Sequence, residues 1–282
     1  MGILEQIRAE LFSLKNPELA VNYKRYLKSP YDFYGLRVPI LRKIARQYTS
    51  LSVQDTLRLF DELWFSGNHE EMCLALFILS NHKKNFNLDF WYFLTDEKRI
   101  AKFKTWDHVD EASSHTLGLI LLDNVHLNTE IKKMSQSINP WVRRISIVSQ
   151  CQAIKKGKIQ LTLLLAEKLV YDEDIYVQKG AGWMLRECGK KNPSAVEQFI
   201  KIHKNMKAAA FSYATEKMLP LRKKLKEEMK NEKINGNQKE KIFEDKEANI
   251  EQEANLQEES KNTDNKLQKQ LNKIKYFKGS AS

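Results

Sequence analysis

The chain has 282 residues, with 47 Lys plus Arg against 36 Asp plus Glu, a net charge of +11, and only 10 Gly and 6 Pro. An apolar content of 42% is enough for a core, which excludes wholesale disorder, and the shortage of Gly and Pro among many Leu, Lys, Glu and Ala favours helix. No window approaches the roughly 18 apolar residues of a membrane span, and the opening MGILEQIRAE, with Glu5 and Glu10, reads neither as a signal peptide nor, with Gln6 at position six, as a myristoylation site.

Apolar spacing predicts short helices joined by polar turns at 2–14, 17–27, 37–49, 52–65, 69–82, 87–95 and 107–122. It predicts more at 127–137, 141–153, 157–170, 174–189, 193–204 and 207–219. Strand-like alternation is hard to find. The fold class expected from these segments is all-α.

Sliding the chain against itself shows a repeat. An aromatic recurs every 35 residues, at Trp106, Trp141, Tyr176 and Phe211, each expected to open a helix. Pro140 stands just ahead of the second, a favourable helix start. One more helix lies between successive copies, so the unit is a helix pair, within the size range of helical solenoids. A lone pair cannot bury its apolar stripe, so the copies should stack in a curved array. An irregular bundle with a chance spacing is the alternative.

Counting each copy from its aromatic, positions 0, 3, 4 and 7 share one helix face. In the fourth copy this strip is ordinary core: Phe211, Ala214, Thr215 and Met218. The second copy has Trp141, Arg144, Ile145 and Val148. The first has Trp106, Val109, Asp110 and Ser113, and the third has Tyr176, Lys179, Gly180 and Trp183. Asp110, Arg144 and Lys179 are therefore charges on a strip that should be apolar. Burying them unpaired costs several kcal/mol, so they either bridge neighbouring repeats or line a groove for a cationic sugar-phosphate ligand. Spacing alone leaves both open.

The charge is uneven as well. From residue 225 to 282, 12 Lys balance 12 acids, so residues 1–224 carry the whole excess, 35 basic against 24 acidic. We expect a folded domain at 1–224 with a polyanion partner. The stretch 225–282, mixed in charge and rich in Asn, Gln, Lys and Glu, reads as a disordered or loosely helical tail with KIKYFK as a sticky end. The cysteines Cys73, Cys151 and Cys188 are far apart and odd in number, which suggests free thiols in a reducing cytosol. His69, His82, His108, His115, His126 and His203 form no HxxxH spacing, there is no CxxC, and no Gly-rich phosphate loop occurs. No metal and no nucleotide cofactor is expected.

The strings FYGLRVPILRKIARQY at 33–48, TWDHVD at 105–110, WVRRISI at 141–147 and DEDIYVQKGAGWMLRECGKKNP at 172–193, in this order and separation, resemble the AlkD-type alkylpurine DNA glycosylases. The resemblance covers roughly 5–220. It implies a right-handed superhelical solenoid of HEAT-like helix pairs whose concave basic face holds duplex DNA. It also implies hydrolysis of the N-glycosidic bond of cationic purines, chiefly 3-methyladenine and 7-methylguanine, without burying the base in a pocket. Carried over by position, Asp110 is the catalytic carboxylate, Trp106 and Trp183 are the active-site tryptophans, and Arg144 contacts the DNA backbone. Arg143, Lys179, Arg42 and Lys43 join it as DNA-binding candidates. Thr105 replaces a second aromatic common in relatives, and His108, with no assignable role, reads as an exposed polar residue. The expected partner is duplex DNA containing alkylated purines, met by a cytoplasmic monomer with no membrane contact. The alternatives are a non-catalytic relative that binds duplex or branched DNA, and a HEAT-type scaffold for an acidic protein.

Overall fold

The computed structural model describes residues 2–228 and 230, and among these the chain is helical with no β-strand. The nearest thing to sheet among them is an isolated bridge between Asp32 and Asn68. Helices α1 (Ile3–Ser13), α2 (Pro17–Leu27), α3 (Val38–Arg46), α4 (Val53–Trp64) and α5 (His69–Ser80) come first. Next are α6 (Leu88–Thr95), α7 (Glu97–Ile100) and α8 (Trp106–Ala112), which runs through a π-turn at Ser113–Leu117 into α9 (Gly118–Asp123). The rest are α10 (Asn128–Met134), α11 (Pro140–Val148), α12 (Cys151–Lys155), α13 (Gln160–Leu169), α14 (Ile175–Gly189), α15 (Pro193–Ile202) and α16 (Ala208–Ala214). No helix among the described residues is long and apolar enough to cross a membrane.

The helices start where side chains can satisfy the free N–H groups of a first turn. Asn16, Ser52, Asn68, Asn87, Asn139, Asp174 and Asn192 each accept such a bond, and Pro17, Pro140 and Pro193 occupy first-turn positions that need no N–H. Two expectations need adjustment. The helix expected at 141–153 breaks into α11 and α12 around Ser149 and Gln150. The last copy shortens to Ala208–Ala214, with Phe211 one turn inside its helix instead of opening it.

The chain divides into two units, Met1–Arg222 and Lys223–Ser282. Within the first unit the helices pack serially: α5 against α3, α4 and α8, then α8 on α11, α11 on α14, and α14 on α16. The helices bearing the 35-residue aromatics are thus side by side, as stacked helix pairs require. Covered on several sides, α5 is buried along almost its whole length, His69 to Leu79. The largest fully buried side chains include Trp64, Trp91, Phe60 and Phe103.

The loop before α3 is pinned by α5. Buried Glu70 accepts the backbone N–H groups of Tyr34, Gly35 and Leu36, while Glu71 takes a forked bond from Arg8 and another from the Tyr34 hydroxyl. Gly35 has φ +86°, and a Cβ there would stand 2.0 Å from the Asn16 carbonyl oxygen, so only glycine fits. Of the charged stretch read as a tail, residues 225–228 and 230 are helical, and the remainder, KIKYFK included, lies outside the described residues.

Candidate active site

Side-by-side packing of α8, α11 and α14 brings the odd strip residues together. Trp106, Asp110, Arg144, Lys179 and Trp183 line one cleft of about 400 Å³, with Tyr26, Lys28, Ile175, Tyr176, Arg186 and Tyr213 completing it. Asp110 is the only acid among these lining residues.

Asp110 and Arg144 form a two-point bridge. Arg144 donates from Nε to Oδ1 and from Nη2 to Oδ2, both at 2.9 Å, and from Nη1 to the Tyr176 carbonyl. Burial raises the Asp110 carboxyl above its ordinary value. Arg144 pulls it back down, but not far enough to cancel burial and the neighbouring Asp107. A carboxylate offers about four lone-pair directions, and the arginine fork uses two. The Asp110 side chain keeps 17% of its surface exposed in the cleft. Gly180 makes room for the arginine, since a Cβ there would sit 3.1 Å from Arg144 Nη1.

The structure therefore brings Asp110, Trp106, Trp183, Arg144 and Lys179 together, and it separates the other candidates. Arg144 is buried and occupied with protein groups, so the inter-repeat bridge that spacing allowed is formed. A backbone phosphate is not its visible partner. Arg143 points elsewhere: it forks onto Asp172 at 2.6 and 2.8 Å and reaches the carbonyls of Ser137 and Ile138, a clamp on the loop before α14. Arg42 bonds Glu111 at 2.7 Å and lies over the Phe77 ring. Lys43 is exposed on α3. Neither lines the cleft. Lys179 is half-buried, with its Nζ 5.7 Å from the Tyr176 ring centre.

Five lining residues, Tyr26, Lys28, Ile175, Arg186 and Tyr213, escaped the sequence reading. Tyr26 stands edge-on to Trp106 at 6.1 Å, and Lys28 caps α2 in a left-handed conformation. Tyr213 and Arg186 come from α16 and α14, Arg186 being paired with Glu216 and Glu187. Tyr26 and Lys28 precede the first repeat copy, so the 35-residue register could not reach them.

His108 overturns its expectation. It is 1% exposed, not a surface residue. Its Nε2 donates to the His69 carbonyl at 3.2 Å, so Nδ1 is the acceptor facing the Thr105 hydroxyl at 3.1 Å. Burial and the neighbouring His69 hold the ring neutral, with its pKa pushed down to about 4. Thr105, fully buried, thus serves this ring and not the cleft wall. Asp107 pairs with His69, Nε2 to Oδ2 at 2.9 Å. Burial alone would raise its carboxyl, yet the His69 hydrogen bond and the nearby imidazoles hold it well below the usual range.

HxxxH and CxxC spacings join only neighbours along the chain. Across α5 and α8 the fold gathers His69, Cys73, Asp107 and His108, one potential ligand atom from each lying within 4.8 Å of the others.

The family model described as "DNA alkylation repair enzyme" matches residues 7–218. Among solved structures, the chain is similar to a predicted DNA alkylation repair enzyme from Enterococcus faecalis. Identity is 20%, coverage is 71% of this chain and 95% of that one, and the TM-score is 0.61. It is also similar to AlkD2 from Streptococcus mutans, with 18% identity, 64% and 89% coverage, and a TM-score of 0.51. These likenesses establish a shared all-helical fold. Comparison with curated proteins finds no match.

Proposed function

The chain belongs to the DNA alkylation repair enzyme family, and we propose that within it the chain is a DNA N-glycosylase. It removes cationic alkylated purines, 3-methyladenine and 7-methylguanine, from duplex DNA. The observation that carries this reading is the cleft itself: one carboxylate, raised by burial and held by an arginine fork, between Trp106 and Trp183.

Alkylation at N3 or N7 leaves the purine positively charged, so its departure needs little help from a general acid. That suits a cleft with a single acid. The N9–C1′ bond breaks, its electron pair leaves with the base and neutralises it, and positive charge develops on the deoxyribose. Asp110 stabilises that charge and orients a water. The water oxygen bonds to C1′, and its proton passes by way of the carboxylate to solvent. Trp106 and Trp183 offer π faces to the developing cation, each contributing about 0.5–2 kcal/mol. Arg144 acts through Asp110 as a positioning residue, and Lys179 and Lys28 supply positive charge for the phosphates beside the lesion. The protein works as a cytoplasmic monomer on the concave face of a HEAT-like solenoid, with the base left outside any pocket.

The test is release of free 3-methyladenine and 7-methylguanine from methylated duplex DNA by wild type and Asp110→Asn. We expect release by wild type and at least a hundredfold loss in the variant, with duplex binding unchanged. Equal turnover by Asp110→Asn overturns the assignment. Salt-dependent binding without release by wild type makes the protein a binding-only member.

A further inference from the structure

We propose that His69, Cys73 and Asp107 form a binding site for a borderline divalent cation of the zinc type, bridging α5 and the first turn of α8. His69 and Cys73 are four residues apart on α5, one turn along the same face, and Asp107 meets them from α8. The His69 Nε2 and Asp107 Oδ2 atoms are 2.9 Å apart, so an ion that replaces their hydrogen bond has to part them only slightly, to the roughly 3.3–3.4 Å edge of a tetrahedron with bonds of about 2.0–2.1 Å. The grouped donor atoms span no more than 4.8 Å, so modest side-chain rotation brings the sulfur in.

One orphaned group points to a missing partner. Among the described residues, Asp107 Oδ1 is buried without a hydrogen-bond partner, and an ion held at Oδ2 can share its bond with that second oxygen. Buried polar atoms are normally satisfied, and a bound ion is one of the groups that satisfies them. The local field suits a cation too, because Cys73 feels the acids Asp107, Glu70 and Glu111, with Arg42 opposing. A metal ion binds the thiolate directly.

The donor set selects the ion. One sulfur, one imidazole and one carboxylate fit zinc or cobalt(II) and disfavour calcium and magnesium, which want oxygen. His108 is not counted as a ligand. Both its nitrogens have fitting partners, and its ring lies face to face with His69 at 4.1 Å and 24°, so the two in-plane lone pairs cannot converge on one ion. Three protein ligands leave a fourth position for water. All three line a cleft of about 310 Å³ that provides an entry path. Bound there, the ion would clamp α5 to the turn that carries Trp106 and leads to Asp110. The proposal stands apart from the glycosylase reading.

The test uses the full chain, stripped with chelator and titrated with cobalt(II), then with zinc in competition. We expect a thiolate-to-cobalt charge-transfer band at one equivalent, displaced by zinc, and a Tm raised by zinc in the stripped wild type. Cys73→Ser should lose the band, and Asp107→Asn should weaken cobalt binding at least tenfold. Circular dichroism confirms that each variant is folded. Absence of the band and of a zinc-dependent Tm shift in wild type overturns the proposal, and wild type alone suffices for that result. A band that survives in Cys73→Ser also overturns it, because the sulfur would then be Cys151 or Cys188.

Discussion

Arg143 and Arg144 are neighbours on α11, and each grips an aspartate with a two-point fork, yet the two bridges serve different ends. Arg143 holds Asp172, whose Oδ1 also accepts the Asp174 backbone N–H, and it gathers two carbonyls besides. Every group there is spent on fastening the loop before α14, and the field of Asp172 raises the Arg143 guanidinium further. Arg144 holds Asp110 between two tryptophans at a cleft, and there the carboxyl is left above its ordinary range. The chemistry of the pair is the same. What differs is whether the surroundings complete the compensation or leave a charge available to a ligand.

The largest contrast should come from the two aspartates. Asp110→Asn should cut base release at least a hundredfold per folded molecule and also lower Tm, because the buried Arg144 guanidinium loses its charged partner. Asp172→Asn should lower Tm with release per folded molecule kept. An activity loss shared equally would erase the distinction.

Removing the arginines comes next. Arg144→Met strands a buried carboxylate, and such a loss costs about 3–5 kcal/mol unless the acid takes up a proton. Because Arg144 is what pulls the Asp110 carboxyl down, the variant should move the acid limb of the activity profile to higher pH. Arg143→Met should leave that limb where it is. Rate–pH profiles of the two variants decide it.

A third test lies between the two regions and the buried histidines. The folded pKa of His108, about 4, is below its ordinary 6.5, so the unfolded chain binds the extra proton between these values. The neutral ring's contribution is complete above pH 6.5 and is lost as pH falls towards 4, by up to about 3 kcal/mol. Urea unfolding of wild type and His108→Gln from pH 7 to 4 should show that slope only in wild type. The smallest effect belongs to Lys179→Gln, which should weaken duplex binding a few-fold and reduce the salt slope by about 1, the share of one phosphate contact. An unchanged slope would remove Lys179 from the DNA-contacting surface.

The residue pattern alone carried the all-helical class, most helix positions, the 35-residue register and the strip that holds Trp106, Asp110, Arg144 and Trp183. These are local or periodic properties: a cap, a proline or an apolar spacing acts within a few residues of itself. Partner choice was beyond its reach. Arg143 and Arg144 differ by one position, about 100° around a helix, and only packing against α8 and α14 decides that one meets Asp110 and the other Asp172. The burial of His108, the entry of Tyr26 and Lys28 into the cleft, and the meeting of His69 and Cys73 with Asp107 depend likewise on contacts between residues more than 30 positions apart. Such contacts leave no periodic trace in the chain, because their geometry is set by how whole helices dock, not by the residues on either side of them.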